Sequence, residues 1–363
     1  MGSVNRMSFS QICMILMLMN GLTSHVIVNP MILDSSGRDA WVSVIMAAVF
    51  YVPWSLLLVL FMKRSGNRKL QPWLADRTKP WISWVLMAPI CLYLYLIGGL
   101  TLLHTSTWTI TNYLPATPKL VLVTVLALVC LYMAKTGLRS MAIGAGVLLP
   151  IVVFLGIFVS VANTAHKNYK LLFPLMEHGW EPPVHGMLYA GGAFIELIVI
   201  VTMQHRIRSH VKPWHMVVFA LLMVWITLGP VIGAITEFGP YEAAKQATSP
   251  YEQWRLVKIG DYVEHVDFLS VYQWLAGSTV RVSLSLFLLA EIMPFTSQTM
   301  RSRFILALTF SYIVLCMFPY SQQDFYNMMY RIYFPASLIL GIAYSLLCVG
   351  MSFIPEKRRE RTT

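Results

Sequence analysis

The stretch LYAGGAFIELIVIV, residues 188–201, carries two adjacent glycines and then a lone glutamate in an otherwise apolar run. In a soluble protein such a run would form a buried strand or helix. The surrounding chain is 57% hydrophobic and 12% charged over 363 residues, with a mean hydropathy of +0.64. Because soluble domains contain about 25% charged residues, this composition indicates a membrane protein.

Apolar segments of about 20 residues are long enough to cross the hydrocarbon core of a bilayer as helices. The longest polar segment between them, about 237–267, is too short for a soluble domain. The sequence therefore predicts an all-α polytopic membrane protein in which residues 1–363 form a single membrane domain. Its ten predicted spans lie near residues 8–29, 39–62, 81–112, 118–134, 141–163, 185–204, 214–236, 268–293, 304–320 and 334–353.

The distribution of Lys and Arg predicts the orientation of the chain. The side of the membrane that holds both termini carries 18 basic residues and the opposite side carries 8, with Arg281 inside the eighth span. The positive-inside bias places both termini, including a tail at 354–363, in the cytoplasm. The net charge of +11 is spread over short loops next to the membrane, where the lipid bilayer is the natural partner, so we expect no nucleic-acid binding.

The residue types needed for catalysis or metal binding do not occur in recognisable patterns. All five cysteines lie inside predicted spans without paired spacing, and the nine histidines form no H-E-x-x-H motif. The sequence also contains no phosphate-binding loop and no evident pairing of a nucleophile with a base. We therefore expect no metal, no cofactor and no enzymatic activity.

The two halves of the chain begin alike. Gly21 interrupts the first span in LMLMNGLTSHVIVNP, and Gly191 interrupts the sixth span 170 residues later. Because each half has five spans, the second half must cross the membrane with the opposite polarity. This pattern predicts an inverted repeat, residues 8–163 and 185–353, with broken helices 1 and 6.

A broken helix exposes backbone amides and the positive end of its dipole, which favour a carboxylate or another anion. Unwound backbone at this depth is tolerated only where it lines a cavity. The alternative is that the glycines allow helices to pack closely. If the interruptions form a ligand site, its candidate residues are Gly21, Leu22, Thr23, Ser24, Tyr95, Gly191, Gly192, Phe194, Glu196, Gly277 and Ser278.

Glu196 and Arg281 are charged residues inside predicted spans. Such a charge costs about 2.5–3.5 kcal/mol on insertion scales, so it has a partner, a changed protonation state or a ligand. Either Glu196 pairs with Arg281 and joins two helices, or Glu196 faces the cavity and binds a ligand ammonium or a proton. The sequence leaves both alternatives open.

Four ordered segments resemble signature segments of the B subunit of spore germinant receptors: SGRDAWVSVI (36–45), NYLPATP (112–118), LFPLMEHGWEPPVHG (172–186) and GDYVEHVDFLSVYQW (260–274). That family belongs to the amino acid/polyamine/organocation superfamily and has a five-plus-five inverted repeat. The family's glutamate in the sixth span matches Glu196, and its basic residue in the eighth matches Arg281.

The resemblance implies a ligand-sensing subunit in the inner membrane of a bacterial endospore. Such a subunit binds a small nutrient, often an amino acid, and acts with an A subunit and a lipoprotein C subunit. The architecture by itself equally fits a secondary amino-acid transporter, since a fold does not decide between sensing and transport. A membrane enzyme is the third class and has no motif in its favour.

Overall fold

The computed structural model describes residues 6–208, 210–260 and 264–355. Within these ranges the regular structure is helical, and the chain has no β-sheet there. One isolated parallel bridge joins Met7 to Ile207. Residues 261–263 of the fourth signature segment and residues 356–363 of the predicted tail lie outside the described ranges.

Sixteen α-helices follow one another along the described chain. They are α1 (Phe9–Leu22), α2 (Asn29–Ser36), α3 (Ala40–Arg64), α4 (Leu70–Ala75), α5 (Pro80–Asn112), α6 (Lys119–Thr136), α7 (Leu138–Ala162), α8 (Glu181–Phe194), α9 (Val199–Met203), α10 (Pro213–Phe238), α11 (Pro240–Ala243), α12 (Ser249–Arg255), α13 (Phe268–Ile292), α14 (Gln298–Met317), α15 (Gln322–Met328) and α16 (Phe334–Ser352). Short π and 3-10 segments connect several of them. The two π segments are Thr23–Ile27 and Met329–Tyr333.

The described residues contain nine helical stretches that are long and apolar enough to cross a membrane, which makes the protein a multi-pass membrane protein. The sequence predicts ten, and the difference lies in the first stretch. Phe9–Arg64 counts as one stretch of 56 residues, although it includes both of the first two predicted spans. As one straight α-helix at 1.5 Å per residue, 56 residues would extend about 84 Å, well beyond the roughly 30 Å of a hydrocarbon core.

Local sequence features explain how several helices begin and end. Ser8 caps α1, accepting a hydrogen bond from the amide of Gln11, while the Gln11 side chain accepts one from the Ser8 amide. Prolines stand in the first turn of α5 and α10, where the missing amide proton costs no hydrogen bond. Gly137, at φ +92°, allows the abrupt turn between α6 and α7.

Two stretches form the centre of the bundle. In the most apolar 18-residue part of Glu181–Arg206 and of Phe268–Ile292, 83% of the residues are buried. In the corresponding part of Leu138–His166, only 22% are buried. The first of these contains α8 and α9, and the second is α13. They are also the stretches that carry Glu196 and Arg281, so both charged residues lie in the interior of the helix bundle.

Candidate functional site

Glu196 and Arg281 form a buried ion pair. Arg281 Nη1 donates to Glu196 Oε2 at 2.5 Å, and Arg281 Nη2 donates to Oε1 at 2.6 Å. The glutamate is 0% exposed and the arginine 2%. This two-point geometry is the strongest form of an Arg–carboxylate contact, and it holds the 3-10 segment Ile195–Ile198 against α13.

The arginine also contacts two further helices. Its Nε donates to Thr101 Oγ1 of α5 at 2.7 Å, and its Nη1 donates to the Met19 carbonyl of α1 at 3.0 Å. Tyr333 donates its hydroxyl to Glu196 Oε1 at 3.1 Å. A buried pair compensates for lost hydration only when its remaining donors and acceptors are satisfied, and this network supplies those partners. It thereby connects the first, third, sixth and eighth predicted spans with the π segment Met329–Tyr333 that leads into the last.

The first predicted span changes its helix type next to this network. After Leu22, α1 continues into the π segment Thr23–Ile27, where the amide of Val28 bonds to the Thr23 carbonyl at 3.0 Å. The hydroxyls of Thr23 and Ser24 are buried and have no hydrogen-bond partner among the described residues. π segments are rare and occur often at functional sites, so these hydroxyls are candidates for ligand contact.

A cavity of about 310 Å³ lies beside the interruption, with walls from α1, α7, α10, α12 and α13. Gly21 and Leu22 line it from α1, and Gly277 lines it from α13, one helical turn before Arg281. A Cβ atom built on Gly21 would meet nothing within 4 Å. Apart from His25 and Lys167, its walls are uncharged and largely apolar. This volume is at the lower end of the roughly 300–1,000 Å³ of small-molecule sites.

The glycines of the sixth predicted span do not lie in this cavity. Helix α8 runs regularly through Gly191 and Gly192, and the departure from α-helical geometry follows only at Ile195–Ile198. A Cβ atom on Gly192 would lie 2.6 Å from the carbonyl oxygen of Phe334. These glycines therefore do not unwind the span, contrary to the prediction from the sequence. They instead allow α8 to pack closely against α16, the alternative that small residues commonly serve in membrane helices.

Three other predicted site residues lie apart from the cavity walls. Tyr95 donates to Ser311 at 3.1 Å, between α5 and α14. Phe194 stacks on Tyr51 of α3, with ring centroids 4.6 Å apart. Ser278 is buried and bonds to the carbonyl of Leu275 within its own helix. The structure thus brings Gly21, Leu22 and Gly277 together at the cavity. Thr23 and Ser24 are buried next to Leu22 but do not line the cavity, Glu196 is held in the ion pair, and the other predicted site residues make packing contacts.

Sequence reasoning did not find Thr101, Tyr333 or the Met19 carbonyl. Neutral hydroxyls and backbone groups carry no large insertion cost, so nothing in a single sequence distinguishes them from ordinary residues of a span. Among the described residues, no group of three His, Cys, Asp or Glu side chains could hold a metal ion.

The chain matches the family model described as spore germination protein over residues 6–325. It is 39% identical to spore germination protein XB of Bacillus anthracis over 352 residues, which cover 97% of this chain and 99% of that protein. The chain belongs to the spore germination protein family. A second member, putative spore germination protein YfkT of Bacillus subtilis strain 168, is 22% identical over 289 residues, or 79% of each chain.

Proposed function

We propose that this spore germination protein is the ligand-sensing membrane subunit of a germinant receptor, and that it binds a small nutrient of amino-acid size. The single observation that carries the proposal is the cavity beside the π segment of the first span. Its walls include Leu18, next to Met19 on α1, and Gly277, one helical turn before Arg281 on α13, so a ligand there contacts two helices that the Glu196–Arg281 network connects.

The proposed topology has ten crossings in two inverted halves, with both termini in the cytoplasm. The 56-residue stretch Phe9–Arg64 supports two crossings because it is far longer than one crossing needs. Gly37, at φ +51°, provides a turn between α2 and α3 where the chain can reverse. The 18 to 8 division of basic residues supports the orientation.

The proposed ligand contacts are Gly21, Leu22, Thr23, Ser24 and Gly277. Gly21, Leu22 and Gly277 line the cavity, and the unpartnered hydroxyls of Thr23 and Ser24 follow directly in the chain, outside its walls. We assign Glu196 to Arg281 rather than to the ligand, because both carboxylate oxygens already accept charged hydrogen bonds. Apart from His25 and Lys167, the walls are uncharged and largely apolar, which favours an aliphatic or aromatic side chain on the ligand.

The resemblance to germinant receptor B subunits supports an assembly with an A subunit and a lipoprotein C subunit in the spore inner membrane. Ligand binding would then shift the equilibrium between two conformational states that bind the ligand with different affinities. The partner subunits would respond to that change in population. A secondary amino-acid transporter is the second candidate, since the same helical architecture carries out transport.

Reconstitution in liposomes separates the two functions. We expect the purified protein to bind one or more amino acids from a radiolabelled panel at saturable levels, without accumulation under a proton or sodium gradient. Gly21→Leu, which fills the cavity, is the matched control and should abolish the binding. Accumulation of label beyond stoichiometric binding, lost in Gly21→Leu, would assign the protein to transport.

A further inference from the structure

A second cavity, of about 670 Å³, is lined by basic side chains. Its walls come from the start of α1, the turn between α6 and α7, the segment after α9 and the start of α14. No acidic residue of the described chain lines it. We call it the basic basin, and its six cationic residues are Arg6, Lys135, Arg139, Arg206, Arg208 and Arg301.

Most of this positive charge is not neutralised within the described chain. Glu291, behind the basin, forms ion pairs with Arg206 and with Arg301, the latter at 3.0 Å. His205 shares the same carboxylate at 3.2 Å. No described acidic residue lies within ion-pair distance of the other four cationic residues. The basin therefore keeps a large net positive charge in a concave space, which focuses the field on whatever enters it.

Three long helices begin at the basin and add to its positive potential. The capping Ser8 of α1 and the first residues of α7 and α14 lie in its walls, and each helix N-terminus carries a partial positive charge. Backbone hydrogen bonds fix the geometry of one wall. The Met7 amide donates to the Arg206 carbonyl, and the Arg208 amide donates to the Met7 carbonyl, both at 2.8 Å.

The rim of the basin continues into the lipid-facing surface of the bundle. Tyr132 on α6 is 71% exposed, Ile143 on α7 is 61% exposed, and Leu306 on α14 is 50% exposed. Each lies about one helical turn from a residue that lines the basin: Tyr132 is three positions before Lys135, and Ile143 and Leu306 are four positions after Arg139 and Ser302. An occupant with an anionic head and apolar chains therefore meets complementary surfaces in the correct order.

We propose that the basic basin binds the phosphate headgroup of an anionic phospholipid, whose acyl chains lie against the exposed apolar faces of α6, α7 and α14. Guanidinium groups bind phosphate oxygens through paired hydrogen bonds, and basic pockets between membrane helices bind anionic lipid headgroups in this way. A free phosphate compound shares the same headgroup chemistry but lacks the chains. The acyl chains therefore distinguish the two sources.

The test measures lipid binding to the purified full-length protein in neutral detergent. Phosphatidylglycerol is titrated while the melting temperature is recorded, with phosphatidylcholine as the neutral lipid. Lys135→Gln with Arg139→Gln removes two exposed charges of the basin. We expect the half-saturating phosphatidylglycerol concentration to rise about thirtyfold, because each basic residue near an anionic surface contributes about a factor of five. The melting temperature without lipid should not change.

The matched control removes two exposed charges elsewhere on the same predicted side, Lys63→Gln with Lys79→Gln. This variant has the same net charge and should bind phosphatidylglycerol like the wild type. An equal loss in both variants would overturn the proposal in favour of diffuse surface charge. Equal stabilisation by inorganic pyrophosphate would assign the basin to a soluble phosphate compound. Unchanged lipid binding in Lys135→Gln with Arg139→Gln would also overturn the lipid proposal. The basic basin would then be assigned to an acidic protein segment.

Discussion

Replacing Glu196 by glutamine is expected to destabilise the protein by about 3–5 kcal/mol, the usual cost of removing one partner from a buried ion pair. In the variant, Arg281 keeps the Met19 carbonyl, Thr101 and one amide oxygen of the glutamine as acceptors, but no negatively charged partner. The glutamine amide nitrogen would also face a guanidinium donor, since the carboxylate now accepts with both oxygens. A buried, uncompensated cation remains.

The assay is a double-mutant cycle on protein solubilised from membranes. The amount of folded protein and its melting temperature are measured for Glu196→Gln, Arg281→Gln and the double variant. The double variant should recover part of the loss, because it removes the stranded charge. Tyr333→Phe is a graded control that deletes one hydrogen bond to the carboxylate and should cost about 1.5–3 kcal/mol.

Two results would contradict a stabilising pair of Glu196 and Arg281. If Glu196→Gln leaves abundance and melting temperature unchanged but raises the nutrient concentration for half-maximal germination, the carboxylate serves the ligand. The bidentate contact with Arg281 would then not contribute to the stability of the folded protein. Additive losses in the cycle would equally contradict a direct pair.

The remaining predictions concern the cavity and the topology. Gly21→Leu should leave folded protein at normal levels and raise the nutrient concentration for half response at least about tenfold, because its side chain enters open space. Gly192→Ala should instead lower the yield of folded protein, since its Cβ would lie 2.6 Å from a backbone oxygen; normal yield would contradict this packing. Cysteines at Lys79 and Ala247 should react with an impermeant maleimide from the cytoplasmic side and the outer side respectively, and labelling of both from one side would disprove ten crossings.

Composition and hydropathy were sufficient to predict a helical multi-pass membrane protein, because bilayer solvation selects strongly for long apolar helices. The same physics made Glu196 and Arg281 conspicuous, since a charge in a span needs a partner. The sequence allows Glu196 to pair either with Arg281 or with a ligand ammonium or a proton. The structure pairs it with Arg281, 85 positions away, a contact that no periodicity in a single sequence encodes.

The glycines illustrate what a sequence does not contain. Gly21 and Gly192 look alike in apolar runs, yet one faces a cavity and the other contacts the backbone of α16. The difference depends on which helix lies opposite, and that follows from the packing of distant segments. The interruption of the first span was predicted near Gly21, and the π segment begins two residues later at Thr23.

The wide separation of Glu196 and Arg281 along the chain has a consequence for biosynthesis. The ribosome adds Glu196 to the chain 85 residues before it adds Arg281. At about 5–20 residues per second, the carboxyl group has no cationic partner for roughly 4–17 s. During that interval the sixth span must enter the translocon on its apolar residues alone. Those apolar residues must offset the insertion cost of about 2.5–3.5 kcal/mol for the acidic group. When the eighth span inserts, Arg281 pairs with the unpartnered Glu196 and the two helices are joined. This ion pair therefore forms late in membrane assembly.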